Sequence, residues 1–119
     1  MEEEISQETN AGKSKNLERL LGIMRQLRDP ETGCQWDLQQ TFSSLIRYTI
    51  EEAYEVSDAV IRGNTLDIIE ELGDLLLQVV FFSQIADEGS LFNFDNVSEA
   101  TNEKLIRRHP HIFSKNKVF

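Results

Sequence analysis

Apolar residues recur every three or four positions through most of the chain, which is the spacing of one face of an α-helix. This periodicity predicts four helices, over about 15–28, 43–62, 65–87 and 95–108. Thr41 or Ser43 is placed to cap the second of them. No segment shows the sustained alternation of a β-strand, so the pattern predicts an all-α fold.

The two central predicted helices each carry one apolar stripe, expected to be the seam along which they pack. The stripes are Ile46, Ile50, Ala53, Ser57 and Val60 on the first, and Ile69, Leu72, Leu76 and Val79 on the second. Acidic residues flank both stripes. The second helix is also apolar beyond its stripe, at Leu75, Leu77, Val80, Phe81 and Phe82. A helix that is apolar all round is buried on several sides, which in a small domain indicates a subunit interface.

Four carboxylates are placed symmetrically about the break between these helices. Glu52 and Glu55 are three residues apart, as are Glu71 and Asp74, so each pair shares a helix face. The positions 52 and 74, and likewise 55 and 71, centre on Gly63. If the chain folds back there as an αα-hairpin, the two pairs meet.

Carboxylates forced together repel one another, and a hard divalent cation relieves the repulsion. With oxygen ligands alone, Mg²⁺ or Mn²⁺ is favoured over zinc. The alternative is that these acids form a solvated surface.

Two further features are candidates for nucleotide binding. Lys104, Arg107 and Arg108 can share a face near the end of the last predicted helix, where they would clamp phosphate groups or simply stabilise the helix C-terminus. Trp36 lies in a polar loop, where it would either cover the edge of the core or stack on a base.

Charge and composition narrow the class of protein. The chain has 119 residues and a net charge of −9, and it lacks a basic stripe, which excludes nucleic acid as the main partner. A single cysteine, Cys34, excludes an internal disulfide. No apolar run is long enough to span a membrane and the N-terminus is acidic, so we expect no membrane partner and a cytoplasmic location.

We expect residues 1–13 to form a disordered acidic tail and 14–119 to form one domain.

The motifs resemble a known family. Glu51-Glu52-Ala53-Tyr54-Glu55 followed by Glu71-Leu72-Gly73-Asp74 is similar to the EExxE…ExxD signature of MazG-type nucleoside triphosphate pyrophosphohydrolases. The resemblance covers about 17–113, and it continues through 33–37, Gln40-Thr41, Tyr48, the 75–82 run and 104–113.

This resemblance implies a four-helix MazG-like domain, related to dimeric dUTPases, whose central αα-hairpin packs in a dimeric bundle. It implies Mg²⁺-dependent hydrolysis of NTPs or dNTPs to the monophosphate and pyrophosphate, by a homodimer or higher homo-oligomer. The implied metal ligands are Glu52, Glu55, Glu71 and Asp74, and the implied phosphate-binding residues are Lys104, Arg107 and Arg108.

Three further residues, Glu51, Trp36 and Tyr48, bear on the reaction. Glu51 matches an additional acid of the signature, and either Glu51 or Glu55 would accept the proton of the attacking water. Trp36 is the candidate contact to the base. Tyr48 stands where active domains of some members have a lysine that meets the triphosphate. The alternative function is therefore a catalytically weak nucleotide- or metal-binding domain with a structural or regulatory role in a larger protein.

Overall fold

A computed structural model describes the backbone of residues 2–113 and the side chains of residues 15–113. Within this range the chain is all helix and loop, as predicted. The helices are α1 (Glu2–Leu27), α2 (Gln35–Leu38), α3 (Phe42–Arg62), α4 (Thr65–Glu88), α5 (Phe94–Arg108) and α6 (Pro110–Phe113). The four long helices correspond to the four predicted ones, and α2 and α6 are single turns that the periodicity did not reveal. No described helix combines the length and low charge that a membrane crossing requires.

The start of α1 differs from the sequence prediction. The helix begins at Glu2 rather than near residue 15. Residues 2–13 lack apolar periodicity, but they include good helix formers and no proline, so helical backbone can continue through them. The disorder of residues 1–13 in solution stays a prediction.

Local chemistry fixes both ends of α3. The Thr41 hydroxyl accepts a hydrogen bond from the Ser44 backbone N–H, and the Ser44 hydroxyl accepts one from the Thr41 N–H, at 3.2 and 2.8 Å. At the other end, Gly63 adopts a left-handed conformation with φ of 76°. Arg62 then donates to the carboxylate of Asp67 across the turn at 2.6 Å. The predicted break at Gly63 is confirmed.

The chain divides into two compact units, Met1–Phe82 and Ser83–Phe119. The first unit has a small core formed by Met24, Leu45, Ala59, Val80 and Phe81. In the second unit, Asn93 and Asn96 form a reciprocal cap at the start of α5, and α6 follows directly after His109.

The seam between α3 and α4 is not the one that the sequence predicted. Its positions, which are buried or half-buried, are Leu45, Thr49, Glu52, Val56 and Ala59 on α3, and Ile68, Glu71, Leu75, Gln78 and Phe82 on α4. The Thr49 hydroxyl lies 3.1 Å from the Gln78 side-chain oxygen, which places these faces against each other. Glu52 and Glu71 thus occupy the seam instead of flanking it.

The predicted stripes are exposed: Ile50 is 53% and Ile69 is 63% accessible. Each stripe follows its seam by one residue, a rotation of about 100° around the helix axis. Apolar periodicity shows that a stripe is buried somewhere, but it does not show whether the same chain or another one covers it.

Both exposed stripes lie on the same side of the hairpin. The two helices are right-handed and antiparallel, so an equal rotation away from their shared seam turns both stripes the same way. We call this surface the apolar hairpin face. It comprises Ile46, Ile50, Ala53, Ser57, Val60, Ile69, Leu72, Leu76 and Val79.

Gly33 is expected to be essential for the loop that carries Trp36. A Cβ atom on Gly33 would lie 2.3 Å from the carbonyl oxygen of Leu27 and 2.5 Å from that of Asp29, both in backbone that cannot move aside easily. We expect Gly33→Ala to lower the free energy of unfolding by about 1–3 kcal/mol. The matched control is Gly73→Ala in α4, where a Cβ meets nothing within 4 Å. There alanine should stabilise the helix by up to about 1 kcal/mol. Urea unfolding of both variants tests this, and equal effects would contradict it.

Candidate metal centre and adjoining pocket

The hairpin brings three of the four predicted metal ligands together. Glu52 of α3 and Glu71 and Asp74 of α4 each offer a carboxylate oxygen, and these atoms all lie within 4.8 Å of one another. The fourth acid, Glu55, lies outside this group, although its negative charge acts on both glutamates. The mirror symmetry about Gly63 therefore predicted the meeting of the two helices' acids.

The surroundings of Glu52 and Glu71 in the first unit disfavour the charged forms of their carboxyl groups. Burial, followed by the charges of Asp74 and Glu71, raises the pKa of Glu52. Burial and the charges of Glu55 and Asp74 likewise raise the pKa of Glu71. The Oε2 atom of Glu52 is buried and has no hydrogen-bond partner among the described residues. A buried carboxylate oxygen without a partner destabilises the fold.

This arrangement fits a divalent metal ion. The donors are all carboxylate oxygens, which suits Mg²⁺ or Mn²⁺. A bound cation would supply the partner that the Glu52 Oε2 atom lacks and would offset the repulsion between the three carboxylates. Glu52, Glu71 and Asp74 are the residues that would hold it.

A further polar pair continues the site along the seam. Thr49 and Gln78 meet one turn from Glu52 and Asp74, on the side away from the Gly63 turn. The Thr49 hydroxyl also lies 3.1 Å from the carbonyl oxygen of Leu45. The middle of the α3–α4 seam is thus polar, whereas its ends are apolar.

The raised carboxylate pKa values predict how the stability of the metal-free protein depends on pH. A carboxyl group whose pKa is higher in the folded state binds its proton more tightly there. Its contribution to stability is therefore full below the ordinary value of 4.5 and falls as pH rises through the raised pKa of Glu52. Between wild type and Glu52→Gln, the difference in melting temperature in EDTA should grow in favour of the variant from pH 4.5 upward. A difference that does not change with pH would contradict the raised pKa.

A pocket lies at the start of α3, where one of its lining residues, Tyr48, is one helical turn before Glu52. It has a volume of 570 Å³ and is lined by residues of α2, the following loop and α3, among them Trp36, Gln40, Arg47 and Tyr48. Trp36 is 50% exposed, and its ring meets Tyr48 edge-on at 5.7 Å and Phe81 at 6.5 Å. Trp36 therefore packs against the core edge and also presents aromatic surface to the pocket. Both sequence interpretations of this residue are compatible with its place.

Arg28 holds this loop in position, a role that the sequence did not indicate. Its guanidinium donates to the carbonyl oxygens of Asp37 and Gln40 at 2.7 and 3.2 Å, and it lies 5.9 Å from the Phe81 ring centroid. In the sequence, Arg28 is simply a basic residue at the C-terminus of a predicted helix. Its contacts with residues 9 and 12 positions further along the chain leave no pattern in the neighbouring residues from which they could be predicted.

The other predicted site residues lie apart from the three acids or in the second unit. Glu51 is exposed on α3 and is not part of the group of three carboxylates. Lys104, Arg107 and Arg108 are exposed on α5, with both arginines in its last turn. Their approach to the acids of the first unit stays a prediction.

Comparison with known proteins agrees with this chemistry. Residues 40–113, which include the three acids and the basic group, match the model of the MazG nucleotide pyrophosphohydrolase domain. The chain belongs to this family. The matched residues include α3, α4, α5 and α6 completely, so the family match extends into both units.

Named relatives extend the similarity to most of the chain. The chain is 53% identical over 98 residues to a nucleoside triphosphate pyrophosphohydrolase of Escherichia coli, covering 82% of this chain and 37% of that protein. It is 54% identical over 97 residues to the nucleoside triphosphate pyrophosphohydrolase/pyrophosphatase MazG of Thermotoga maritima, covering 82% and 38%. A nucleoside triphosphate pyrophosphohydrolase of Mycobacterium tuberculosis is 38% identical over 111 residues, covering 92% and 34%. This MazG domain therefore spans little more than a third of the length of these relatives.

Proposed function

We propose that this MazG domain hydrolyses nucleoside triphosphates, or their deoxy forms, to the monophosphate and pyrophosphate in the presence of Mg²⁺. The observation that carries the proposal is the group Glu52, Glu71 and Asp74, with the unpartnered buried oxygen of Glu52. The names of the relatives support the same reaction.

The acids of α3 and α4 have two parts in this proposal, which are to hold the metal and to accept a proton. Glu52, Glu71 and Asp74 hold the metal, and Glu55, whose charge acts on Glu71, joins them as a fourth ligand. When bound, Mg²⁺ neutralises phosphate charge and lowers the pKa of a coordinated water. Glu55 or Glu51 accepts the proton of the attacking water, because both are exposed carboxylates within one turn of Glu52 on α3.

The bond changes follow from the products. The water oxygen bonds to the α-phosphorus, the bond between the α-phosphorus and the bridging oxygen breaks, and pyrophosphate leaves. Lys104, Arg107 and Arg108 of α5 bind the phosphate oxygens and offset the charge on the leaving pyrophosphate. Trp36 stacks on the base. Catalysis of this kind depends mainly on positioning and charge neutralisation.

We further propose that the domain acts as a homodimer through the apolar hairpin face. A patch this continuous on a monomer would be unusual unless another surface covers it. Leu72 and Leu76 on this face are 49% and 39% exposed, and each is within two residues of Asp74. Pairing between two copies would therefore also stabilise the hairpin that holds the acids.

A catalytically weak nucleotide-binding domain is the second candidate, and Tyr48 is the observation that favours it. A tyrosine carries no positive charge, so Tyr48 cannot supply the cation that a lysine at this position brings to a triphosphate. Its hydroxyl instead accepts from Arg47, and its ring contacts Trp36. Pyrophosphate and monophosphate release should be measured over a panel of NTPs and dNTPs, with Mg²⁺ and with EDTA. Equal amounts of both products, formed only with Mg²⁺, are expected. Nucleotide binding without product would favour the second candidate.

A further inference from the structure

The pocket beside Trp36 is lined by hydroxyl, amide, aromatic and apolar side chains and by the guanidinium of Arg47. The Gln40 side chain is already used within the protein, since its nitrogen donates to the Trp36 carbonyl at 2.9 Å and its oxygen accepts from the Ser44 hydroxyl at 2.8 Å. Among the described residues that line the pocket, none carries a carboxylate. The charged group that remains for a ligand is the guanidinium of Arg47.

Arg47 is only partly engaged. It donates one hydrogen bond to the Tyr48 hydroxyl at 2.8 Å, and its central carbon lies 4.8 Å from the centroid of the Tyr48 ring. A guanidinium group has five N–H donors in a fixed planar fork. The contact with Tyr48 holds the guanidinium at the pocket, and most of its N–H donors have no hydrogen-bond partner among the described residues.

We infer that this pocket selects 6-oxopurine bases, guanine or hypoxanthine, with Arg47 as the residue that determines specificity. A guanidinium fork pairs best with two adjacent acceptors, and these purines present O6 and N7 side by side. Adenine places an amino donor next to N7, which opposes the fork. The half-exposed ring of Trp36 provides the stacking surface.

The pocket is placed so that a nucleotide with its base in the pocket can extend its phosphates toward Glu52, Glu71 and Asp74. Tyr48 lies one helical turn before Glu52 on α3, about 6 Å along the axis. A base stacked on Trp36 would leave its sugar and phosphates free to extend past Tyr48 and along α3 toward Glu52. The inference rests on the proposed function, because it names which nucleoside triphosphates that site takes.

Binding can be measured without turnover, because Trp36 is the single tryptophan of the chain. Its fluorescence should be titrated in EDTA with GMP, IMP and AMP. We expect GMP and IMP to bind about tenfold more tightly than AMP, which is the size of one good bidentate contact. In Arg47→Lys, which keeps the charge but loses the fork, this ratio should fall to near one. Arg19→Lys, an exposed change on α1, should leave it unaltered.

Two results would overturn the inference. One is equal affinity for GMP and AMP, or no fluorescence change with any of the three, in the wild-type protein. The other is an equal loss of affinity for GMP and AMP in Arg47→Lys, since that would make Arg47 a phosphate contact. Because these titrations need neither metal nor hydrolysis, their failure is distinguishable from a failure to release pyrophosphate.

Discussion

Replacing Glu71 with glutamine is expected to lower Mg²⁺-dependent pyrophosphate release on the order of 100-fold or more. The substitution keeps the shape of the side chain but removes one of the three carboxylates whose oxygens lie within 4.8 Å. The metal-free variant should melt at a higher temperature than the metal-free wild type, because one repelling charge is gone. Mg²⁺ should then raise its melting temperature much less than it raises that of the wild type.

Glu70→Gln is the matched control for this experiment. Glu70 is the adjacent acid on α4, is exposed and lies outside the group of three carboxylates. The Glu70→Gln variant should retain nearly the wild-type rate of pyrophosphate release and the wild-type rise in melting temperature with Mg²⁺. Comparable losses in both variants would mean that general acidity of the helix, and not the cluster in the seam, supports the reaction.

Ile50→Lys is expected to convert a dimer into a monomer. Ile50 lies within the apolar hairpin face, and a lysine there would place a charge inside the proposed interface. The dissociation constant of the dimer should rise on the order of 100-fold, which corresponds to about 2.7 kcal/mol. Sedimentation equilibrium over a range of concentrations measures this directly.

Ile23→Lys on α1 is the control for the dimer experiment. Ile23 is 43% exposed, close to the 53% of Ile50, but it lies outside the apolar hairpin face. It should leave the self-association unchanged. A wild-type protein that is monomeric at micromolar concentration, or equal effects of the two substitutions, would refute the proposed interface.

The sequence was sufficient to predict the four long helices and the meeting of three of the acids, for physical reasons that are local. Helix periodicity, the Thr41 cap and the left-handed Gly63 all depend on neighbours within a few residues. The pairing of Glu52 with Glu71 and Asp74 follows from the position of one turn. Such features can be predicted from the order of residues alone.

The faces of the helices could not be predicted in the same way. The seam includes Thr49, Glu52, Glu71 and Gln78, polar residues that a search for apolar stripes rejects. Such a search predicts that the more apolar stripe forms the seam, whereas that stripe remains exposed on the single chain. The contacts of Arg28 and Arg47 with the Trp36 loop and Tyr48 were missed because arginines on a helix surface have no distinctive local pattern.

In the proposed reaction, the carboxylates in the α3–α4 seam bind the metal on which hydrolysis depends. The most direct measurement is a Mg²⁺ titration in which the initial rate of pyrophosphate release and the melting temperature are recorded together, for wild type and Glu52→Gln. We predict that both quantities rise over the same range of Mg²⁺ concentration in the wild type and that neither rises appreciably in the variant. Pyrophosphate release in EDTA, or an identical titration in Glu52→Gln, would contradict the account.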